Sequence, residues 1–260
     1  MKSKTITHTD NEFVSSLEKG FRVLKAFSKK SSKMTISEVA ECTEMTKAAA
    51  RRYLLTLNAL GYINIEGRYF SITPKILTFS AMYLNSDALA DVATPYLRDL
   101  TSVVHESSSV SQLQGDDIIY IARVPTQRIM SINLQVGARL PAWITSMGRV
   151  QMAYLDNDIQ NEMIKRVNFD AKTNKTIKTS LALKEELKKV KEQGYALVDQ
   201  EIETGVISIA VPIFNRNYKV IAGLNIAGSP STYNKKKLVE DILPILKNTA
   251  ELIRSANPSY

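Results

Sequence analysis

The sequence is short of several residue types, and each shortage closes off a class of chemistry. Cys42 is the only cysteine among 260 residues and there are two histidines, so there is no disulfide framework and no Cys/His metal spacing. No glycine-rich phosphate loop and no G-x-S-x-G nucleophile elbow occurs. No apolar run approaches the roughly 18 residues of a membrane span. The opening MKSKTITHTDNE lacks the apolar core of a secretory signal. Internal repeats and long low-complexity tracts are absent too. These absences argue against an enzyme and against a membrane protein, and they lead to the expectation of a soluble cytoplasmic chain without a cofactor or metal.

What is present is a hydrophobic content of 44%, enough for real cores, and a formal charge of +8. The excess is uneven. Residues 1–86 hold 13 Lys and Arg against 7 Asp and Glu, whereas residues 87–260 hold 21 against 19. Any surface for a polyanion is therefore expected in the N-terminal third.

In that third, Phe13, Leu17, Phe21, Leu24 and Phe27 recur at helical spacing, with Lys19, Arg22 and Lys25 off the stripe. Gly20 in the middle costs about 1 kcal/mol against Ala, which suggests close packing there. Thr35 with Glu38 three residues on makes a capping box for a short helix whose Ile36, Val39 and Ala40 point inward. After a turn at 43–45, Thr46 can cap a helix that runs to about Leu60 and stops at Gly61. YINI and YFSI then read as a hairpin round Gly67 with Arg68 at its tip. Three helices followed by a hairpin is the order of a winged helix-turn-helix, here residues 13–73.

The third helix can read DNA for a physical reason. Lys47 and Arg51 share a face, and Arg52 lies to one side within reach of a phosphate. Ala48 and Ala49 let the backbone sit deep in a major groove, and alanine can touch a thymine methyl. The helix start at Thr46 adds free N–H groups near phosphate. Leu54, Leu57, Leu60 and Tyr53 form the anchoring face. Arg68 on the wing, and Thr35 or Ser37 at a backbone phosphate, complete the expected DNA contacts; Arg22 reads as structural or solvated.

Downstream, Thr73 and Pro74 open a linker helix over 74–87. Residues 88–257 carry a helix over 88–105 and strand-like runs SSVSQLQ, DIIYIARV, IMSINLQV, YALVDQEI, VISIAVPIF and KVIAGLNIAG. Further helices are expected near 147–155, 157–167, 181–193 and 234–255. The alternation is not a regular βαβ repeat, so an antiparallel sheet flanked by helices is expected, and the fold class is α+β.

SLEKGFRVLKAF, TISEVAECTEMTKAAARRYLLTLNALGYI, LPAWITSMGRV, GYALVDQEIETGVISIAVPIFN and VIAGLNIAGSP resemble the IclR family of bacterial transcriptional regulators over nearly the whole chain. ARVPTQRIMSINLQVGARLPAWITSMGRV is most similar to the branch named for PcaR, PcaU and PobR, which controls catabolism of protocatechuate, 4-hydroxybenzoate and β-ketoadipate. The resemblance implies a winged-helix DNA-binding domain, a dimerising linker helix and a GAF-like effector domain. It also implies palindromic or repeat operators in double-stranded DNA, a homodimer or tetramer, and a small aromatic or dicarboxylic acid as effector. By this resemblance the effector pocket uses Ser146 and Met147 before Gly148, with Ser208, Asn225 and Ala227 on two strands. Glyoxylate-type members carry small polar side chains where Asn225 and Ala227 sit, so a different ligand is expected.

For such an acid the effector half offers Arg123 and Arg128, then Trp143, Thr145, Ser146 and Met147 on one segment. Arg123 ends an apolar strand, where an unpaired guanidinium is costly to bury; its partner is either a ligand carboxylate or an internal Asp or Glu. Trp143 can be core, interface or ligand platform. Arg149 reads as structural, and His105 as a helix C-terminal cap or a solvated position. The leading expectation is an acid-responsive activator of aromatic catabolism. The alternatives are a repressor released by another organic acid, and a metabolite-binding module whose winged helix contacts protein.

Overall fold

A computed structural model describes residues 12–27, 31–86, 88–126 and 134–257; Arg128 and most of the strand expected at 129–136 lie outside the described residues. The chain divides into two compact units, Met1–Asn85 and Ser86–Tyr260.

The first unit is built by local signals. Helix α1 (Ser15–Ala26) is followed by a two-residue strand β1 (Lys33–Met34). Thr35 opens α2 (Ile36–Thr43): its N–H donates to the Glu38 carboxylate at 2.7 Å and its hydroxyl accepts from the Glu38 N–H at 3.4 Å. Glu44, in the left-handed region at φ 56°, closes that helix. The Thr46 hydroxyl then accepts from the Ala49 N–H at 3.2 Å and starts α3 (Lys47–Ala59). Gly61, at φ +80°, turns the chain into β2 (Ile63–Glu66), which pairs antiparallel with β3 (Tyr69–Ile72). Strand β1, which sequence reading omits, pairs with β3 and completes a three-stranded sheet in the order β1-β3-β2. Val23, Val39, Ala50, Leu54, Ile63 and Phe70 form the core. A 3-10 turn, Pro74–Ile76, capped by Thr73, leads into α4 (Leu77–Ser86).

Three expectations are corrected here. The α1 stripe does not fill the core: Val23 is the helix's buried residue, while Leu17 and Phe21 stand exposed beside an apolar groove that Leu60 and Phe79 also line. Gly20 is not a close-packing site, because a Cβ there would meet nothing within 4 Å. Leu60 does not anchor α3, being 53% exposed, whereas Leu54 and Leu57 are buried.

In the second unit α5 (Ala88–Val104) precedes a six-stranded sheet ordered β6-β5-β4-β9-β8-β7, with every pairing antiparallel. The strands are β4 (Ser107–Gln114), β5 (Asp117–Val124), β6 (Arg139–Pro141), β7 (Ala196–Asp199), β8 (Ile207–Phe214) and β9 (Val220–Gly228). Short α6 (Ser146–Met152), α7 (Asn157–Lys165) and α8 (Ser180–Gln193) intervene between β6 and β7. The chain ends on α9 (Lys235–Lys237), a π-helical segment Leu238–Ile242, and α10 (Leu243–Ala256). Ile118, Tyr120 and Ala210 face the core shared with α6, α7 and α8. Their strand neighbours Ile209 and Val211 are equally buried, and alternation turns them to the opposite face, which α5 and α10 cover. The architecture is α+β with a helix-turn-helix unit ahead of it, as the sequence led one to expect.

Candidate DNA-contacting face and effector cavity

On α3 the outward residues are Lys47, Ala48, Arg51, Arg52 and Leu55, all exposed, while Ala50, Leu54 and Leu57 fix the opposite side in the core. The packing thus holds the cationic face rigidly outward. Arg68 sits at the hairpin tip, its guanidinium donating to the Tyr69 hydroxyl at 3.0 Å and lying over that ring. Both its proximity to Tyr69 and the charge of Glu38 raise its pKa. Two of the predicted contacts are already occupied locally. The Thr35 hydroxyl donates to Glu38 at 2.7 Å, and Thr46 spends its oxygen on the Ala49 N–H. Ser37 is exposed at the first turn of α2. Arg22 is held by Glu18, from Nε at 2.9 Å and Nη2 at 2.7 Å, and by the Thr43 carbonyl at 3.4 Å.

The effector cavity is assembled by strand register. Ser109 of β4 pairs with Arg123 of β5 on one side and with Asn225 of β9 on the other. Two residues along, Ala227 pairs with Ser107 and with Ser208 of β8, which pairs with Val198 of β7. Directly paired residues, and residues two apart on a strand, share a face, so these rungs present Arg123, Asn225, Ala227 and Ser208 together. Helix α6 lies over them, and Ser208 donates its hydroxyl hydrogen to Ser146 at 3.0 Å. The helix can come this close because of two glycines. A Cβ on Gly148 would overlap the backbone of Ala142, and one on Gly223 would sit 2.8 Å from the Met147 carbonyl oxygen.

Tyr120, three residues before Arg123, would face the other way on a regular strand. The β4–β5 register shifts at Val110/Ser111, pairing Ser111 with Tyr120 and Val110 with Ala122, so Ile121 is the extra residue of a bulge. The bulge brings Tyr120 and Arg123 into one cavity, whose wall Ile144, Met147, Val198 and Ile202 make apolar.

Arg123 is the singular group of this cavity. It is half-buried, donates from Nη1 to Ser109 at 2.9 Å, and leaves its buried Nε without a partner. Among the described residues no carboxylate pairs with it, so the internal ion pair that sequence reading left open is not formed there. Burial lowers its pKa, and Tyr120 opposes that shift. Burial pushes the Tyr120 phenol up to about 12, with a smaller downward pull from Arg123. The buried Asn225 amide makes no side-chain hydrogen bond to the described residues. A cation, an amide and two hydroxyls round an apolar slot suit a small organic carboxylate.

Arg123, Thr145, Ser146, Met147, Ser208, Asn225 and Ala227 therefore come together, although the Thr145 hydroxyl is committed to capping α6 through the Gly148 N–H at 3.0 Å. Trp143 is not brought to the cavity: it is 7% exposed and packs edge-on against Phe169 at 5.3 Å. Arg149, fully buried, forms a bidentate pair with Glu201 at 2.8 and 2.6 Å and donates Nε to the Trp143 carbonyl at 2.8 Å, which makes it structural. Sequence reading missed Tyr120 and the apolar lining. Alternation alone could not have found Tyr120, since a bulge defeats it.

Two family profiles match the chain: "IclR helix-turn-helix domain" over residues 16–64 and "Bacterial transcriptional regulator IclR C-terminal" over residues 81–255. The Pca regulon regulatory protein of Pseudomonas putida is 40% identical over 238 residues, spanning 91% of this chain and 82% of that protein. The crystal structure of a transcriptional regulator from Rhodococcus sp. RHA1 is 40% identical, with a TM-score of 0.82 over 94% of this chain and 98% of the other. A double mutant of the PobR inducer-binding domain from Acinetobacter, in complex with 3-hydroxybenzoic acid, is 31% identical, with a TM-score of 0.60 over 64% of this chain and 97% of the other.

Proposed function

The chain belongs to the IclR family of bacterial transcriptional regulators, and from that premise we propose that it activates aromatic-acid catabolic genes on binding a small aromatic or dicarboxylic acid in the Arg123 cavity. The observation that carries the ligand class is the half-buried Arg123 guanidinium, which has an unpartnered Nε and no carboxylate among the described residues. A bound carboxylate would supply the missing countercharge, and Ser146, Ser208 and Asn225 would meet ring hydroxyls or a second acid group. On DNA, α3 would enter the major groove with Lys47, Ala48 and Arg51 at base edges or phosphates, and Arg68 would reach a flanking phosphate. The acting species is a homodimer or tetramer on a palindromic or repeat operator, with exposed Leu77, Phe79, Met82 and Tyr83 of α4 as apolar surface for assembly.

The test is a thermal-shift series with protocatechuate, 4-hydroxybenzoate, β-ketoadipate and cis,cis-muconate, followed by calorimetry on the acid that stabilises most. A true effector at 100 times its Kd should stabilise the fold by about 2.7 kcal/mol. Arg123→Ala should cost at least about 2 kcal/mol of that binding, some 30-fold in Kd. The matching carboxamide should bind both proteins equally weakly. Undiminished acid binding by the variant would remove Arg123 from the site. On DNA, no shift of any upstream promoter fragment by the wild-type chain would sink the regulatory reading.

A further inference from the structure

A second basic surface lies on the flank of α3 turned away from Lys47. Ser16, Lys19 and Arg22 of α1, spaced three apart, face Ala49, Arg52 and Thr56 of α3 across a cleft of about 520 Å³. The turn between α2 and α3, with Glu44, Met45 and Thr46, also lines it. Three cations stand against one lining carboxylate, that of Glu44. The cations differ in how they are held. Arg22 is pinned by Glu18 and the Thr43 carbonyl, as described above. Lys19 and Arg52 are exposed, and neither side-chain cation makes a hydrogen bond or ion pair to the described residues.

A helix with its side chains is about 10–12 Å across, close to the width of the B-DNA major groove, so a seated helix meets a phosphate backbone on each side. Five residues of helix turn Arg52 about 140° from Lys47, which puts the two on different flanks of α3. Lys47 and Arg52 therefore cannot serve the same wall of the groove. On the Arg52 flank, α1 closes the cleft and adds Lys19, while Thr46 and Ala49 at the α3 start also line it.

We infer that this α1–α3 cleft is a phosphate clamp, in which Lys19 and Arg52 grip one DNA backbone while Arg22, held by Glu18, braces the wall. The clamp rests on the DNA-binding reading given above and extends the contact surface to α1. It carries no base selectivity of its own, because phosphates are the same at every sequence.

Salt dependence of binding separates this from a solvated basic surface. Each phosphate neutralised contributes about 0.9 to the slope of log K against log salt. Fluorescence anisotropy of the full chain on operator and on random duplex, from 50 to 200 mM salt, should show Lys19→Gln and Arg52→Gln each flattening that slope by about 0.9. The affinity lost across that fourfold salt range would then shrink by about threefold, equally on both duplexes. Lys25→Gln, also exposed on α1 but outside the cleft, should keep the wild-type slope. Circular dichroism and melting curves of the variants should match wild type, since neither replaced side chain has a partner to lose among the described residues. Wild-type binding with unchanged slopes in both cleft variants would overturn the clamp and leave the DNA reading intact. No specific binding by the wild-type chain would overturn both.

Discussion

Tyr120 is 4% exposed, and its phenol is held up to about 12 by burial. The folded chain therefore keeps this proton where the unfolded chain, titrating at 10.0, releases it. Its contribution to stability is fully present below the unfolded pKa and is lost as pH rises through the folded value. Between about pH 10 and pH 12 that loss should come to roughly 2–3 kcal/mol. Urea unfolding at pH 9.5 and pH 11.5 measures it: Tyr120→Phe should lose less stability between the two than wild type does. An identical alkaline loss in both would mean the phenol ionises freely in the fold. Arg123 is the companion case. From sequence it was a cation at the end of an apolar strand, with its partner undecided. Only the fold shows that no carboxylate pairs with it among the described residues.

At the scale of elements, α6 is placed by backbone contact, and this explains why its short sequence carries so much of the site. Gly148→Ala would force the helix away from Ala142, costing about 3 kcal/mol or more and weakening effector binding as Ser146 and Met147 shift. Gly20→Ala should do the reverse, stabilising α1 by up to about 1 kcal/mol, since the added methyl meets open space. Chemical denaturation of the two variants checks both signs; a stable Gly148→Ala protein with normal effector affinity would mean α6 can move without consequence. The helix starts at Thr35 and Thr46 were legible, because a cap is completed within three residues of the capping side chain. The inner face of α1 was not. Periodicity marks an apolar stripe, but which part is covered depends on where α2 and α3 lie, and they cover Val23 rather than Leu17 and Phe21.

At the scale of the molecule, the second unit contains every lining residue of the effector cavity within Ser86–Tyr260, and the candidate DNA contacts all lie in Met1–Asn85. Recognition of the acid should therefore survive separation from the DNA-binding unit. A fragment of residues 86–260 should bind the effector with a Kd within about twofold of the DNA-free full chain. A large drop in calorimetry would show that the first unit helps to form the site.

The sequence by itself determined the three helices and hairpin of the first unit, the caps at Thr35 and Thr46, the concentration of charge in the first 86 residues and the strand identities of DIIYIARV, VISIAVPIF and KVIAGLNIAG. Each depends on residues within a few positions of one another, or on a count. Tertiary structure decided that Tyr120 joins Arg123 across a bulge, that Trp143 packs against Phe169 away from the cavity, and that Lys19 faces Arg52. Those outcomes depend on strand register and on helices meeting across the fold, and short-range pattern contains no term for either.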